Sequence, residues 1–313
     1  MRALIVPEIG SADVLTIADL PIPDPGPGEV RIRVHAAGVN PVDVYTRNGL
    51  AYPVFPVDPP FVLGWEAAGE IDAVGQGVTA WRPGQRVVAF ANWFGHSGTF
   101  TGGTQAEYVV LPASAVAPAP STVDLTAAAT LPLNALTAQQ ALDAAGLDAG
   151  ATIAVTGAAG AVGGFTVQLA AARGLRVVAL AGPHDATLVG ELGADVAVVR
   201  SDDPAAAIRK AVPGGVDAVI DSALLADAVT GAIRDGGTLV NLSGLVHPAS
   251  ERGIQLPRVT VRTDGEELAR LARAVDDGGL TLRLREVLPA HEAASAHTLI
   301  EKGGLRGRLV LTF

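Results

Sequence analysis

Three glycines at three-residue spacing, Gly157, Gly160 and Gly163, follow a short apolar run that begins at Thr152, and a helical pattern comes after them. A strand that turns sharply into a helix leaves backbone N–H groups without partners, and the helix dipole makes that end positive. Glycines allow a diphosphate to approach such a backbone closely. The sequence therefore predicts the phosphate-binding turn of a dinucleotide site. The residues of this turn are Gly157, Ala158, Ala159, Gly160, Ala161, Val162 and Gly163.

The end of the next strand, about 20 residues further on, distinguishes between the two nicotinamide dinucleotides. An NAD site normally has Asp or Glu there, but this chain has Ala-Leu-Ala-Gly-Pro-His, with Ala181 at the strand end and His184 last. Without a carboxylate to repel a 2′-phosphate, the predicted cofactor is NADP(H). His184 is the candidate partner of the phosphate, with Arg200 and Arg176 as alternatives. Asp185 favours NAD unless it only caps the following helix.

The elements that would position this turn alternate in type along the second half of the chain. Apolar runs predict strands, and alanine- and leucine-rich segments predict helices between them. Such alternation is typical of a doubly wound parallel sheet, which is the predicted α/β fold class. The predicted strands cover 153–156, 175–180, 195–199, 216–220 and 238–242, and the predicted helices cover 125–145, 205–211, 226–233 and a segment beginning after Asp264.

The first third of the chain has a different pattern. Residues 30–35 alternate apolar with polar side chains, as in a half-buried strand, and shorter apolar runs at 69–74 and 86–90 follow. Proline-rich segments at 21–28 and 53–60 cannot continue a sheet, because proline lacks the N–H, and are predicted to be loops. This pattern predicts a small barrel or irregular sheet rather than βαβ units.

Composition excludes several classes of protein. A length of 313 residues predicts two domains, and a net charge of −10 argues against binding to nucleic acid or an anionic membrane. The sequence has no cysteine, so disulfides, a thiolate nucleophile and sulfur-bound zinc are excluded. It has neither an apolar run of about 18 residues nor a signal-peptide pattern, so we expect a cytoplasmic protein.

Four segments together resemble the medium-chain dehydrogenase/reductase superfamily. They cover residues 38–49, 60–69, 75–87 and 131–138, and the most similar branch is the quinone oxidoreductase group. The resemblance implies a GroES-like catalytic domain at 1–121, completed by 280–313, and a Rossmann domain at 122–279 that binds NADP(H). This order would explain why the glycine turn lies almost halfway along the chain.

The resemblance also bears on metal binding. Zinc-dependent members of the superfamily place a cysteine where Asn40 stands and a histidine where Trp65 stands, and neither Asn nor Trp is a usual zinc ligand. The histidines do not supply a replacement cluster, so no metal site is predicted. They are His35, His96, His184, His247, His291 and His297.

Without a Lewis acid, hydride transfer to a conjugated acceptor is easier than to a simple carbonyl, because the acceptor stabilises its own developing charge. The implied activity is NADPH-dependent reduction of a quinone or another conjugated carbonyl. No dedicated proton donor is identified, and solvent could supply the proton. By resemblance, the side chains expected in the catalytic cleft are Asn40, Tyr45 and Tyr52, and those expected beside the cofactor are Asn134 and Thr137. Ser243 is expected at the same site because it follows the predicted strand 238–242, at the carboxyl end of the parallel sheet.

Other interpretations stay open for these residues. Each tyrosine could instead be a packing aromatic, and Asp43 and Glu66 are interpreted as structural partners of Arg47 or of backbone groups rather than as acids. The alternative functions are reduction of enones or enoyl thioesters, and non-catalytic NADPH binding by a sensor. A short-chain dehydrogenase is excluded, because no tyrosine is followed by lysine four residues later.

The oligomeric state can also be predicted from the pattern. The last strand of the cofactor sheet would leave an edge with unpaired backbone groups, and pairing with a second copy would satisfy them. The expected edge strand covers residues 255–261, where Pro257 suits an edge better than the centre of a sheet. We therefore expect a homodimer.

Overall fold

The computed structural model describes residues 1–92, 103–242, 248–249 and 251–313. The chain divides into two compact units. The first unit contains Met1–Leu133, Arg262–Gly278 and Leu282–Phe313, and the second contains Asn134–Val261 and Gly279–Thr281. By compactness, residues 122–133 and 262–278 therefore belong to the first unit, although the sequence assigned them to the dinucleotide-binding domain.

The described residues form strands and helices in both units. The strands are β1 Arg2–Val6, β2 Thr16–Asp19, β3 Glu29–Val39, β4 Phe61–Val62, β5 Glu66–Val74, β6 Arg86–Phe90, β7 Tyr108–Pro112, β8 Val116–Pro118, β9 Thr152–Thr156, β10 Arg176–Ala181, β11 Val196–Val199, β12 Val216–Asp221, β13 Ile233–Asn241, β14 Leu284–Pro289 and β15 Arg308–Thr312. The α-helices are α1 Pro41–Arg47, α2 Leu125–Ala128, α3 Pro132–Ala145, α4 Ala161–Ala172, α5 Ala186–Glu191, α6 Pro204–Ala211, α7 Gly265–Asp276 and α8 Ala293–Lys302.

The first unit is β-rich, as predicted. Its larger sheet has the order β14-β15-β3-β5-β6-β8, with β7 also paired to β3, and a smaller sheet has the order β2-β1-β4. Along β3 the apolar residues Val30, Ile32 and Val34 are buried and alternate with more exposed polar ones, which confirms the period of two. The C-terminal strand β15 pairs antiparallel with β3, so the end of the chain returns to this unit.

The second unit is built on a parallel sheet of order β11-β10-β9-β12-β13, which confirms the doubly wound fold. The chain runs outward from β9 in one direction and then starts again at β12 on its other side. This reversal is the topological switch point, where open α/β sheets bind their ligands. Alanine and valine side chains dominate the buried cluster around β9, which allows helices to pack closely on the sheet.

Two differences from the predicted elements have local causes. The segment expected to be a helix at 226–233 is a 3-10 helix over Ala226–Ala232, and it begins at Ala226 with a φ of +49°, outside the range of a regular helix. Helix α1 was not predicted, since seven residues are too few to show a period, although Asn40, Pro41 and Asp43 carry the signature of a helix start.

In the described part of the chain, no helix is long and apolar enough to span a bilayer.

Candidate active site and cofactor cradle

The glycine turn lies between the carboxyl end of β9 and the start of α4, with Gly160 at the N-cap of the helix. Gly157 has a φ of +58°, a conformation that favours glycine. A Cβ on Gly163 would lie 2.8 Å from the Gly157 carbonyl carbon and 2.9 Å from the Cα of Ala158, so only glycine permits this packing of helix on turn. Backbone N–H groups and the positive end of α4 therefore lie together at the switch point.

A pair of side chains, Thr156 at the end of β9 and Asp221 at the end of the neighbouring strand β12, holds this turn. The Thr156 hydroxyl donates to Asp221 Oδ1 at 2.6 Å and accepts from the Ala223 N–H at 2.9 Å. The other oxygen of Asp221 accepts from the Ala226 N–H at 2.8 Å, and the Asp221 residue is only 2 % exposed. Its charge is therefore engaged inside the fold. A bound diphosphate fits the turn, because the turn offers donors and this carboxylate is turned away from solvent.

The end of β10 shows how the residues predicted to select the cofactor are used. Ala181 is buried, and Asp185, which stands at the N-cap position of α5, turns its carboxylate back to accept from the Gly182 N–H at 2.9 Å. With 6 % exposure, this carboxylate presents little surface to a ribose. His184 is exposed beside it. The site thus suits NADP(H) better than NAD(H).

Of the two alternative arginines, only one lies at this end of the sheet. The Arg200 N–H donates to the Ala181 carbonyl at 2.8 Å, so Arg200 follows β11 directly beside the strand end. Arg176 begins β10 and pairs with Thr152 at the opposite end of the sheet. A strand of six residues separates that end from the phosphate position, which excludes Arg176 as its partner.

The structure describes two of the three remaining residues that were predicted to lie near the cofactor. Asn134 and Thr137 stand one turn apart on α3, where Asn134 is buried with 3 % exposure and Thr137 is half-buried. Their spacing puts them on one face of the helix. Ser243 lies outside the described residues.

In the first unit, Asn40 takes part in a buried polar cluster with Glu66. Glu66 is fully buried and accepts from the Asn40 Nδ2 at 2.9 Å and from the Leu133 N–H at 2.8 Å, near the start of α3. The guanidinium of Arg308, on β15, forms an ion pair with the same carboxylate and is 4 % exposed. Asn40 itself is 1 % exposed. Sequence reasoning missed Arg308, because 242 residues separate it from Glu66.

Asp43 links the same region to the loop before β5. Its carboxylate accepts from the Asn40 N–H at 2.8 Å and from the Gly64 N–H at 3.1 Å. Burial raises the pKa of Asp43 to about 7, although these two backbone donors oppose the shift. Asp43 is therefore a partner of backbone groups, as predicted.

Arg47 differs from the prediction. Its guanidinium, 1 % exposed, pairs with Glu301 on α8 and donates to the Gly10 carbonyl at 3.1 Å, and it does not pair with Asp43 or Glu66. His297, also on α8, is fully buried, and neither ring nitrogen has a hydrogen-bond partner among the described residues. Burial lowers the pKa of His297 to about 3, with the charge of Arg47 adding to the shift.

The two predicted tyrosines are exposed. Tyr45 on α1 has 36 % exposure, and Tyr52 in the following loop has 48 %, with its hydroxyl 3.4 Å from Asp58 Oδ1. Neither ring is a buried packing aromatic, so both side chains can meet a ligand. Leu50 between them is 58 % exposed and adds apolar surface.

The residues at the two positions that bear zinc ligands in other members do not fit zinc. The Trp65 ring is buried between Phe55, at a centroid distance of 5.8 Å, and Phe90, at 6.5 Å. The Asn40 nitrogen is directed to Glu66, and amide and indole groups are poor zinc ligands. Within the described residues, no cluster of three His, Cys, Asp or Glu side chains could hold a metal ion.

Comparison with known proteins identifies the family. A family model described as the alcohol dehydrogenase GroES-like domain matches residues 26–121, and one described as zinc-binding dehydrogenase matches residues 192–311. The quinone oxidoreductase of Homo sapiens is 32 % identical and is aligned over 99 % of this chain and 97 % of its own length. The chloroplastic NADPH-dependent alkenal/one oxidoreductase of Arabidopsis thaliana is 29 % identical over 99 % of this chain and 79 % of its own.

The fold comparison agrees. The structure of a mycobacterial protein in complex with NADPH has a TM-score of 0.86 and 32 % identity, with 100 % of both chains covered. These similarities extend over both units and include NADPH-dependent proteins. The chain belongs to the medium-chain dehydrogenase/reductase superfamily, in its quinone oxidoreductase branch, as the sequence predicted.

Proposed function

We propose that this enzyme transfers hydride from NADPH to a quinone or another conjugated carbonyl compound without a metal ion. The observation that carries the proposal is the pair Asn40 and Trp65 at the positions of zinc ligands, each engaged inside the protein. A reductase without a Lewis acid needs an acceptor whose own π system stabilises the developing charge. The names of the human and Arabidopsis relatives support the same class of acceptor.

The exposure of each side chain indicates which residues can contact the acceptor. NADPH, when bound, supplies the hydride. The exposed Tyr45 hydroxyl can donate to an acceptor oxygen, and so can that of Tyr52 once it leaves its long contact with Asp58, whereas Asn40, with 1 % exposure, has little surface for it. The proton that completes the reduction comes from solvent in this proposal.

The direct test follows NADPH absorbance with a panel of quinones and enones, after dialysis against a chelator. We expect turnover with at least one member of the panel and no loss of rate on metal removal. Faster turnover of alkenals or enones than of quinones would favour the alternative enone reductase. Tight NADPH binding without turnover of any acceptor would instead support a non-catalytic sensor.

His184 remains the predicted partner of the 2′-phosphate, and Arg200, which follows β11 beside the strand end, is its rival for the role of selecting the cofactor. Because Arg200 would form a charge-assisted contact that only NADPH can make, Arg200→Ala should raise the Kd for NADPH roughly tenfold. The Kd for NADH should not change, and His184→Ala is the matched variant for the assignment to His184. Separate titrations with NADPH and NADH provide the measurement. Tighter binding of NADH than NADPH by the unmodified enzyme would contradict both the cofactor prediction and these assignments.

A homodimer formed through the segment 255–261 remains a prediction. Backbone hydrogen bonds join this segment to β13. The Gln255 N–H donates to the Gly237 carbonyl, the Val259 N–H donates to the Asn241 carbonyl, and the Pro257 carbonyl accepts from the Asn241 N–H. The alternate residues Arg258 and Thr260 therefore direct their N–H groups away from β13. Such an edge suits antiparallel pairing with a second copy.

Light scattering tests this interface. The enzyme should have twice the chain mass of 31.6 kDa, and Thr260→Pro, which removes one outward N–H, should shift it towards the monomer. A monomer at all concentrations for the unmodified enzyme would refute the dimer.

A cytoplasmic location also stays a prediction of the sequence.

A further inference from the structure

Three donors contact the buried carboxyl group of Glu66. Its Oε1 accepts from the Asn40 amide and pairs with the Arg308 guanidinium, and its Oε2 accepts from the Leu133 N–H at 2.8 Å. Leu133 is the second residue of α3, so its N–H belongs to the positive end of a helix. An arginine side chain and a helix end thus both contact this one buried carboxyl group and hold it in place.

Glu66 holds the Asn40 carboxamide in one orientation. The Asn40 Nδ2 donates to the Glu66 Oε1 at 2.9 Å, so the carboxamide nitrogen faces the acid and the carboxamide oxygen is directed away from it.

The chain makes space for this arrangement at Gly38. A Cβ at this position would lie 2.9 Å from both the Arg308 Nη2 and the Glu66 Cδ, so a larger residue would displace the ion pair. Gly38 lies on β3, which pairs with β15 in the register Gly38–Val310. The strands on the two sides of β3, β15 and β5, thus bring the guanidinium and the carboxylate together beside Gly38.

We propose that Glu66 and Arg308 are positioning residues for hydride transfer, which hold the Asn40 carboxamide in one orientation. The inference rests on the proposed function, since it concerns the same reaction. Arg308 holds the Glu66 carboxyl group, Glu66 orients Asn40, and Asn40 stands at the N-cap of α1, the helix that carries Tyr45. Neither Glu66 nor Arg308 contacts the acceptor in this proposal.

Substitution of either residue should lower kcat and leave cofactor binding intact. Glu66→Gln puts an amide where three donors converge, so kcat should fall roughly 10- to 100-fold, while the Kd for NADPH changes by less than about twofold. Arg308→Met removes the guanidinium that holds the Glu66 carboxyl group, so kcat should also fall, and Arg308→Lys, which keeps a charged donor there, should restore part of it.

A double-mutant cycle with Asn40→Ala makes the test specific. If Glu66 acts through Asn40, Glu66→Gln should cost less than about twofold in kcat once Asn40 is alanine. Glu301→Gln is the matched control, because the Arg47–Glu301 pair also has a buried guanidinium in the first unit. This control should lower stability and leave kcat unchanged.

The outcomes separate this inference from the proposed function. An unmodified enzyme that reduces no acceptor would refute the proposed function itself. An active enzyme whose Glu66→Gln variant keeps its kcat, or loses the same factor with and without Asn40, would refute the positioning role alone. If Arg308→Met does not fold, the double-mutant cycle between Glu66 and Asn40 still tests the positioning role.

Discussion

Gly163→Ala will raise the Kd for NADPH by at least about 100-fold. The new methyl group would lie 2.8 Å from the Gly157 carbonyl carbon and 2.9 Å from the Cα of Ala158, both of which are backbone atoms. Relief requires a shift of the turn away from the start of α4. Loss of two charge-assisted hydrogen bonds to a diphosphate, at about 1.5–3 kcal/mol each, accounts for the factor. Fluorescence titration with NADPH would measure it.

Two further alanine substitutions provide a graded control. A Cβ on Gly160 would lie 3.0 Å from the Gly157 oxygen, so Gly160→Ala should weaken binding less. Gly190 in α5 has open space around its Cα, and Gly190→Ala should leave the Kd unchanged and stabilise the helix by about 1 kcal/mol. Equal Kd values for the Gly163 and Gly190 variants would show that the turn does not bind the diphosphate.

The glycine turn and the sheet around it could be predicted because their signals are local. The spacing of Gly157, Gly160 and Gly163 and the apolar run before them lie within twelve residues, and the strands follow in regular alternation. The same holds for α7, where Asp264 caps the helix by accepting from the Glu267 N–H at 2.8 Å. Local hydrogen-bonding patterns of this kind can be read directly from the order of residues.

The polar clusters could not be predicted, because their partners come from distant parts of the chain. The Thr156–Asp221 bond joins residues 65 positions apart, and the Glu66–Arg308 pair joins residues 242 positions apart. A carboxylate in a sequence does not reveal which of many arginines will neutralise it. Arg47 illustrates the difficulty, since its partner is Glu301 rather than the nearer acids Asp43 and Glu66.

Two buried titratable groups in the first unit should give the free energy of unfolding opposite dependences on pH. His297 has a pKa of about 3 in the folded enzyme against 6.5 in the unfolded chain, so the unfolded state binds the proton first. Stability due to His297 is therefore lost as the pH falls from about 6.5 towards 3, by roughly 5 kcal/mol in total. The charge that acts on His297 is that of Arg47, which is itself paired with Glu301.

Asp43 makes the free energy of unfolding depend on pH in the opposite direction. Its pKa is about 7 in the folded enzyme against 3.8 in the unfolded chain, so between these pH values the folded state holds a proton that the unfolded chain has released. Stability from this group is fully present below about pH 3.8 and is lost as the pH rises to 7, by roughly 4 kcal/mol. Glu66 raises this pKa further, and Arg308 opposes the shift.

Between about pH 4 and 6.5 the contributions of His297 and Asp43 to the free energy of unfolding change in opposite directions and offset each other. Each single substitution should therefore reveal the contribution of the residue that it removes. Relative to the unmodified enzyme, His297→Phe should gain stability as the pH is lowered through this range, and Asp43→Asn should lose it. Urea unfolding followed by tryptophan fluorescence measures this difference in the first unit, whose sequence range contains all three tryptophans. Using differences between variant and unmodified enzyme removes the contribution of all other carboxylates. Parallel pH curves for the two variants would mean that neither group titrates as burial requires. Opposed curves would show that burial of these two groups, one basic and one acidic, determines how the first unit responds to acid.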